Sequence, residues 1–162
     1  MKRLTISTNA CTETLALLIA VAWADGRLED KERDGVRGAA EVLNLPKALR
    51  DRLEKLLEKP VSLDDLLFET LSARERAFAF VAAAWMAGID AKVDAKEAAL
   101  LLEIGKQLSI EPARQKELAK ITKSLDPLPD GVKSWSAEIT KLFKAIPPQL
   151  EEPGGEFEVE FK

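Results

Sequence analysis

The chain has 162 residues, 46% of them apolar and 32% charged, which is enough for one domain with a buried core. It has no histidine and one cysteine, Cys11, so Ser-His-Asp and Cys-His nucleophile systems, thiolate metal clusters, nearly every zinc site and an intrachain disulfide are excluded. The net charge of −4 sits in the tail after Pro147, where Glu151, Glu152, Glu156, Glu158 and Glu160 stand against Lys162 alone; the balanced body offers no basic face for nucleic acid.

Helical periodicity dominates, and β-branched runs are scarce. Leu4-Thr5-Ile6-Ser7 alternates with period two and is a strand candidate. The first helix spans about Ala10 to Ala24 and stops at Asp25-Gly26, where glycine can take the left-handed cap conformation. A second runs from about Asp30 to Leu43, with Gly35 and Gly38 inside it, each costing about 1 kcal/mol relative to Ala. A third covers about Lys47 to Lys59 and is stopped by Pro60. Ser62-Leu-Asp-Asp65 resembles a capping box and opens a short helix to about Thr70; Ser72-Ala-Arg-Glu75 is a full box opening a helix to about Gly88. Further helices follow over about Ala95 to Leu108 and from Pro112 to near Ser124. The loop Asp126–Gly131 leads to a last helix, about Val132 to Ala145, closed by Pro147-Pro148. Its stripe of Trp135, Ile139, Leu142, Phe143 and Ile146 is expected to close over the body, with docking of a partner helix as the alternative.

Phe157-Glu-Val-Glu-Phe161 alternates again, so it can pair with the first segment or extend a partner's sheet. Pro153-Gly154-Gly155 before it reads as a joint, and the acidic composition favours a disordered tail. Lys2 and Arg3 ahead of the apolar run Leu15–Ala24 imitate a secretory leader, but Thr8, Asn9, Thr12, Glu13 and Thr14 interrupt the pattern. The longest apolar stretch, Ala77 to Ile89, falls short of the ~18–20 residues of a membrane span. The expectation is a cytoplasmic protein without a transmembrane segment.

An acidic signature occurs twice, 65 residues apart: Ala-Trp-Ala-Asp-Gly-Arg-Leu-Glu-Asp-Lys-Glu from Ala22 to Glu32, and Ala-Gly-Ile-Asp-Ala-Lys-Val-Asp-Ala-Lys-Glu from Ala87 to Glu97. The register persists downstream, with Val36 against Leu101, Leu43 against Leu108, Leu45 against Ile110 and Leu53 against Leu118. The fold class is therefore all-α, a duplicated bundle of about seven to eight helices. One domain covers 1–146, with repeats over about 12–59 and 77–123, an extra C-terminal helix and an acidic tail over 147–162. The first and fifth helices are apolar nearly all round and are expected to pack together at the centre. Trp23 and Trp85 have Gly88 and Ala20 as counterparts, so each ring is expected to fill space against a small residue of the other copy.

Two readings fit the acidic positions. Glu29 and Asp94 fall at predicted N-caps with Glu32 and Glu97 three residues on, which is capping-box chemistry contributing about 1 kcal/mol per cap. Alternatively Asp25, Glu29 and Glu32, and likewise Asp90, Asp94 and Glu97, converge around a tight loop as oxygen ligands for Ca²⁺, Mg²⁺ or Mn²⁺. The spacing is not that of an EF-hand.

The repeated unit, an Ala-rich apolar helix, Ala-Asp-Gly-x-Leu-x-x-x-Glu and a second helix ending Leu-x-Leu-Pro or Leu-x-Ile-x-Pro, resembles the TerB (tellurite-resistance) family over about Thr12 to Lys123. Its wider group includes the N-terminal region of the DjlA co-chaperone. The resemblance implies a TerB-like helical fold, metal binding by acidic loops at Asp25, Glu29, Glu32, Asp90, Asp94 and Glu97, and roles in stress resistance and in protein complexes near the membrane, without catalysis. Ala91 stands where the family usually has Gly, and Ala resists positive φ, so the second loop is the weaker metal candidate. The resulting expectation is a non-enzymatic module that binds a divalent cation, an unidentified protein partner, or both. It binds no nucleic acid and meets a membrane only through a partner. The alternatives are a purely structural adaptor and a hydrolase using carboxylate-bound metal.

Overall fold

Residues 2–23, 30–59, 61–87, 95–124, 143–146, 150 and 157–161 are described by a computed structural model. In chain order they form β1 (Lys2–Ile6), α1 (Thr8–Trp23), α2 (Asp30–Val42), α3 (Lys47–Leu56), two 3-10 turns (Leu63–Asp65 and Phe68–Thr70), α4 (Ala73–Ala87), α5 (Ala95–Gln107), α6 (Pro112–Ser124) and β2 (Phe157–Phe161). The all-α class holds, with one short strand pair added.

The duplication is visible in the backbone itself. Helices α1 and α4 begin at Thr8 and Ala73, α3 and α6 at Lys47 and Pro112, and α2 and α5 agree at both ends, all at the offset that separates the acidic signatures. The turns between the paired helices repeat bond for bond. Leu45 N–H donates to the Ala40 carbonyl at 3.1 Å and Asn44 N–H to Glu41; in the second copy Ile110 N–H donates to Gly105 at 2.9 Å and Ser109 N–H to Lys106. This is the Schellman closure, and its left-handed residue is Asn44 (φ 55°) in one copy and Ser109 (φ 58°) in the other. Gly105 stands where the first copy has Ala40, and a Cβ there would meet the side-chain amide of Gln115, which donates to the Ile110 carbonyl at 2.9 Å.

The two apolar helices, α1 and α4, pack against each other as the composition demanded. From Leu15 to Ile19 and from Phe78 to Ala83 every side chain is buried, so neither helix has a solvent face over these spans. The other helices are amphipathic and lie around this pair, α3 against α1 and both α5 and α6 against α4. Trp85 is buried, whereas Trp23 is half-buried, its indole N–H 3.4 Å from the Leu56 carbonyl and the Arg33 guanidinium 5.9 Å from its ring centroid. Gly88, expected to face Trp23, lies outside the described residues.

Two expectations need correction. The Ser62 box forms, with Asp64 N–H donating to Ser62 Oγ at 3.2 Å and Ser62 N–H to Asp65 Oδ2 at 3.1 Å, but it opens two 3-10 turns, not one short helix. Leu66, Phe68 and Leu71 are all turned into the core, a spacing that a continuous helix over 63–70 would scatter around its axis. The tail was expected to favour disorder, yet Phe157–Phe161 pairs in parallel with Lys2–Ile6, Lys2 opposite Phe157 and Ile6 opposite Phe161. Burial decides against acidity here: Ile6 is fully buried, and Val159 and Phe161 pack on the core.

Residues 143–146 are helical, and Phe143 and Ile146 are fully buried. The Phe143 ring meets Phe78 edge-on at 5.0 Å and 71°. This part of the predicted stripe closes over the body; Trp135, Ile139 and Leu142 lie outside the described residues. No helix among the described residues is long and apolar enough to cross a membrane.

Candidate functional site

Four of the six predicted cation ligands, Asp25, Glu29, Asp90 and Asp94, lie outside the described residues, as does Ala91. Glu32 and Glu97 are each the third residue of a helix, α2 and α5 respectively. Since these helices start at Asp30 and Ala95, Glu29 and Asp94 directly precede them in sequence. That spacing in sequence is the one a capping box uses. Among the described residues no group of three or more His, Cys, Asp or Glu gathers as a metal cluster.

The described carboxylates do organise polar sites. Ser7 and Ser72, equivalent in the repeat, cap α1 and α4: Ser7 Oγ accepts from Ala10 N–H at 3.0 Å and Ser72 Oγ from Glu75 N–H at 3.2 Å. One side chain serves both caps. Glu75 Oε1 accepts from Ser72 N–H at 3.1 Å, completing the predicted capping box, while Oε2 accepts from Ser7 N–H at 3.1 Å and Ser7 Oγ at 2.7 Å. Burial works against its charge, but the hydrogen bonds from Ser7 and Ser72 outweigh it and hold the carboxyl below its ordinary value. The same charge bears on Cys11, whose thiol burial pushes up to about 12, with Glu75 adding to the shift. A thiol held protonated in this way is no nucleophile at neutral pH.

Glu13 is 4% exposed on α1 and forms a forked pair with Arg52 of α3, Nε to Oε1 at 2.9 Å and Nη2 to Oε2 at 3.2 Å. Its Oε2 also accepts from Leu67 N–H at 2.9 Å, and Arg52 donates to the Asp65 carbonyl at 3.0 Å. The pair thus clamps the segment joining the two repeats onto the first. The sequence carries a signal for it: Glu13 and Arg52 fall opposite Phe78 and Glu117, so both positions break the register of the repeat.

Grooves open on the surface of the described residues, two of them beside charged side chains. One, of about 370 Å³ between α2 and α3, is crossed by its own charges, since Arg37 grips Glu54 at 2.8 and 3.1 Å and Lys47 lies 3.7 Å from Asp51. The other, about 750 Å³, lies between the first halves of α4 and α6. Its apolar lining includes Leu71, Leu108, Leu118 and Leu150, and among the described residues Arg74, Arg76, Arg114 and Glu111 are its charged lining.

A family model described as "Protein of unknown function (DUF533)" matches residues 6–122. The chain belongs to this family. The DUF533 match takes in both repeats, from the end of β1 almost to the end of α6, and leaves β2 outside. No curated protein and no solved structure matches the chain.

Proposed function

We propose that this DUF533 chain is a non-enzymatic TerB-like module that binds a divalent cation through its acidic loops, a protein partner, or both, in a stress-related assembly. One observation carries the reading. Helices α2 and α5 start in the same register of the repeat, so Glu32 and Glu97 occupy equivalent third positions behind two copies of one acidic signature. Carboxylates in that pattern suit a hard cation such as Ca²⁺, Mg²⁺ or Mn²⁺. The second reading, a purely structural adaptor, draws on the boxes at Ser62–Asp65 and Ser72–Glu75, where this chain uses such spacing to cap helices. A cytoplasmic site of action, with any membrane contact made through a partner, completes the proposal.

Thermal unfolding with millimolar Ca²⁺ or Mn²⁺ separates the two readings. At a hundredfold excess over Kd, binding adds about 2.7 kcal/mol, or several degrees in Tm for a domain of this size. The rise is expected in wild type and absent in Asp25→Asn with Asp90→Asn. A wild-type Tm that ignores both ions leaves the adaptor and removes the metal.

A further inference from the structure

We propose that Trp23 and Arg33 form a bracket that couples the α1–α2 connection of the first repeat to the end of α3, and through it to the segment joining the repeats. The need arises in α3 itself. Its last carbonyls lack intrahelical partners, as at every helix end, and residue 60, which would answer the Leu56 carbonyl, is proline and has no N–H. Two side chains supply what the backbone cannot. The Trp23 indole N–H donates to the Leu56 carbonyl at 3.4 Å, and Arg33 Nε donates to the Leu57 carbonyl at 3.2 Å.

The two donors flank the connection. Trp23 is the last residue of α1, and Arg33 lies in the first turn of α2, where its Nη1 also reaches Oδ1 of Asp30, the first residue of that helix, at 3.1 Å. The Arg33 guanidinium stands 5.9 Å from the Trp23 ring centroid, so the two side chains hold each other as well as α3. Both flanks of the connection are thus fastened to one helix end. Arg52, one turn back from Leu56 on the same helix, grips Glu13 and the Asp65 carbonyl of the joining segment. A shift at the connection therefore has a short route into that segment, through the last turn of α3.

The second repeat carries the acidic signature without the side chains of the bracket. Gly88 and Ala98 stand at the positions of Trp23 and Arg33 and offer no side-chain donor, and Ala95 replaces Asp30. Trp23 and Arg33 are therefore positioning residues particular to the first copy. The bracket needs no cation; a cation held by the first signature, on the reading above, gives it an input.

Amide hydrogen exchange on the full chain under native conditions tests the coupling across helices. Arg33→Ala, a change on α2, is expected to speed exchange about two- to tenfold in the last turn of α3 and also in the last turn of α1. Trp23→Phe keeps a ring and loses the N–H, and is expected to act likewise on α3 and on the start of α2. Arg33→Lys keeps the charge beside the ring but not the planar fork, so it should restore only part of the protection. The last turn of α4 should not respond to any of the three. Exchange that changes only within the substituted helix, or that rises equally in α4, overturns the coupling. Millimolar Ca²⁺ or Mn²⁺ supplies the second arm: an ion that raises Tm should slow exchange at the end of α3 in wild type and not in Arg33→Ala. A raised Tm with α3 unchanged shows that the bracket does not transmit. If neither ion raises Tm, the cation reading falls and the ion-free exchange still decides the bracket.

Discussion

The first and second repeats share a skeleton and differ in what holds a cover on it. In the first, Glu13 and Arg52 fasten the connecting segment through charge and hydrogen bonds. In the second, the position of Glu13 is taken by Phe78, and the cover is the Phe143 ring. Turn chemistry is local: a Schellman closure needs only neighbouring residues, so it survives duplication bond for bond. Covers arrive from distant chain, so each copy is free to choose polar or apolar fastening at one equivalent site. Substitution at that site should therefore act through different physics in the two copies.

The largest effects test this directly. Glu13→Ala leaves Arg52 partly buried without its carboxylate and should cost about 3–5 kcal/mol by urea unfolding, with Glu13→Leu plus Arg52→Met recovering most of it. Phe78→Ala should cost a similar ~3–5 kcal/mol through a cavity that no second polar change repairs. If the Glu13→Leu, Arg52→Met double variant is as unstable as Glu13→Ala, the polar fastening is not replaceable and the contrast is wrong. A middle-sized effect belongs to Glu75, which ties the copies together: Glu75→Ala removes three accepted hydrogen bonds and should cost about 2 kcal/mol. Its carboxyl is held below the ordinary 4.5 in the folded chain, so its contribution is complete above that pH and fades as pH falls through the folded value. Glu75→Gln should flatten the acid limb of the stability profile; an unchanged limb would show that other carboxylates carry it. The smallest effect is at the turns. Ser109 takes a positive φ less readily than Asn44, so Ser109→Gly should stabilise by about 0.5–1 kcal/mol, with no such gain from Asn44→Gly.

Much of the skeleton was legible because its signals are local. The Ser72–Glu75 box, Pro112 at the first position of α6 and the apolar periodicity of α1 and α4 each mark an element without reference to the rest of the chain. The reach of Glu75 to Ser7 was not legible, since nothing near Glu75 records that another helix starts beside it. The pairing of β2 was misjudged because composition weighs Glu158 and Glu160, while the outcome turns on Ile6, Val159 and Phe161 sharing a core-facing side. For the candidate site, the register of Glu32 and Glu97 in their helices followed from the repeat, whereas Asp25, Glu29, Asp90 and Asp94 lie outside the described residues.

The parallel pairing of β1 with β2 also has a mechanical meaning. Lys2 and Phe161 sit at opposite ends of the ladder, since Lys2 lies beside Phe157 and Phe161 beside Ile6. A pull that separates these two residues runs along the strands in opposite senses and loads the evenly spaced ladder bonds together. Sheared in this way, the strands must give up all their bonds at once; hauled apart sideways, they would lose them one by one. A bundle whose helices would otherwise peel from either end is thus closed by a small tension-bearing clasp.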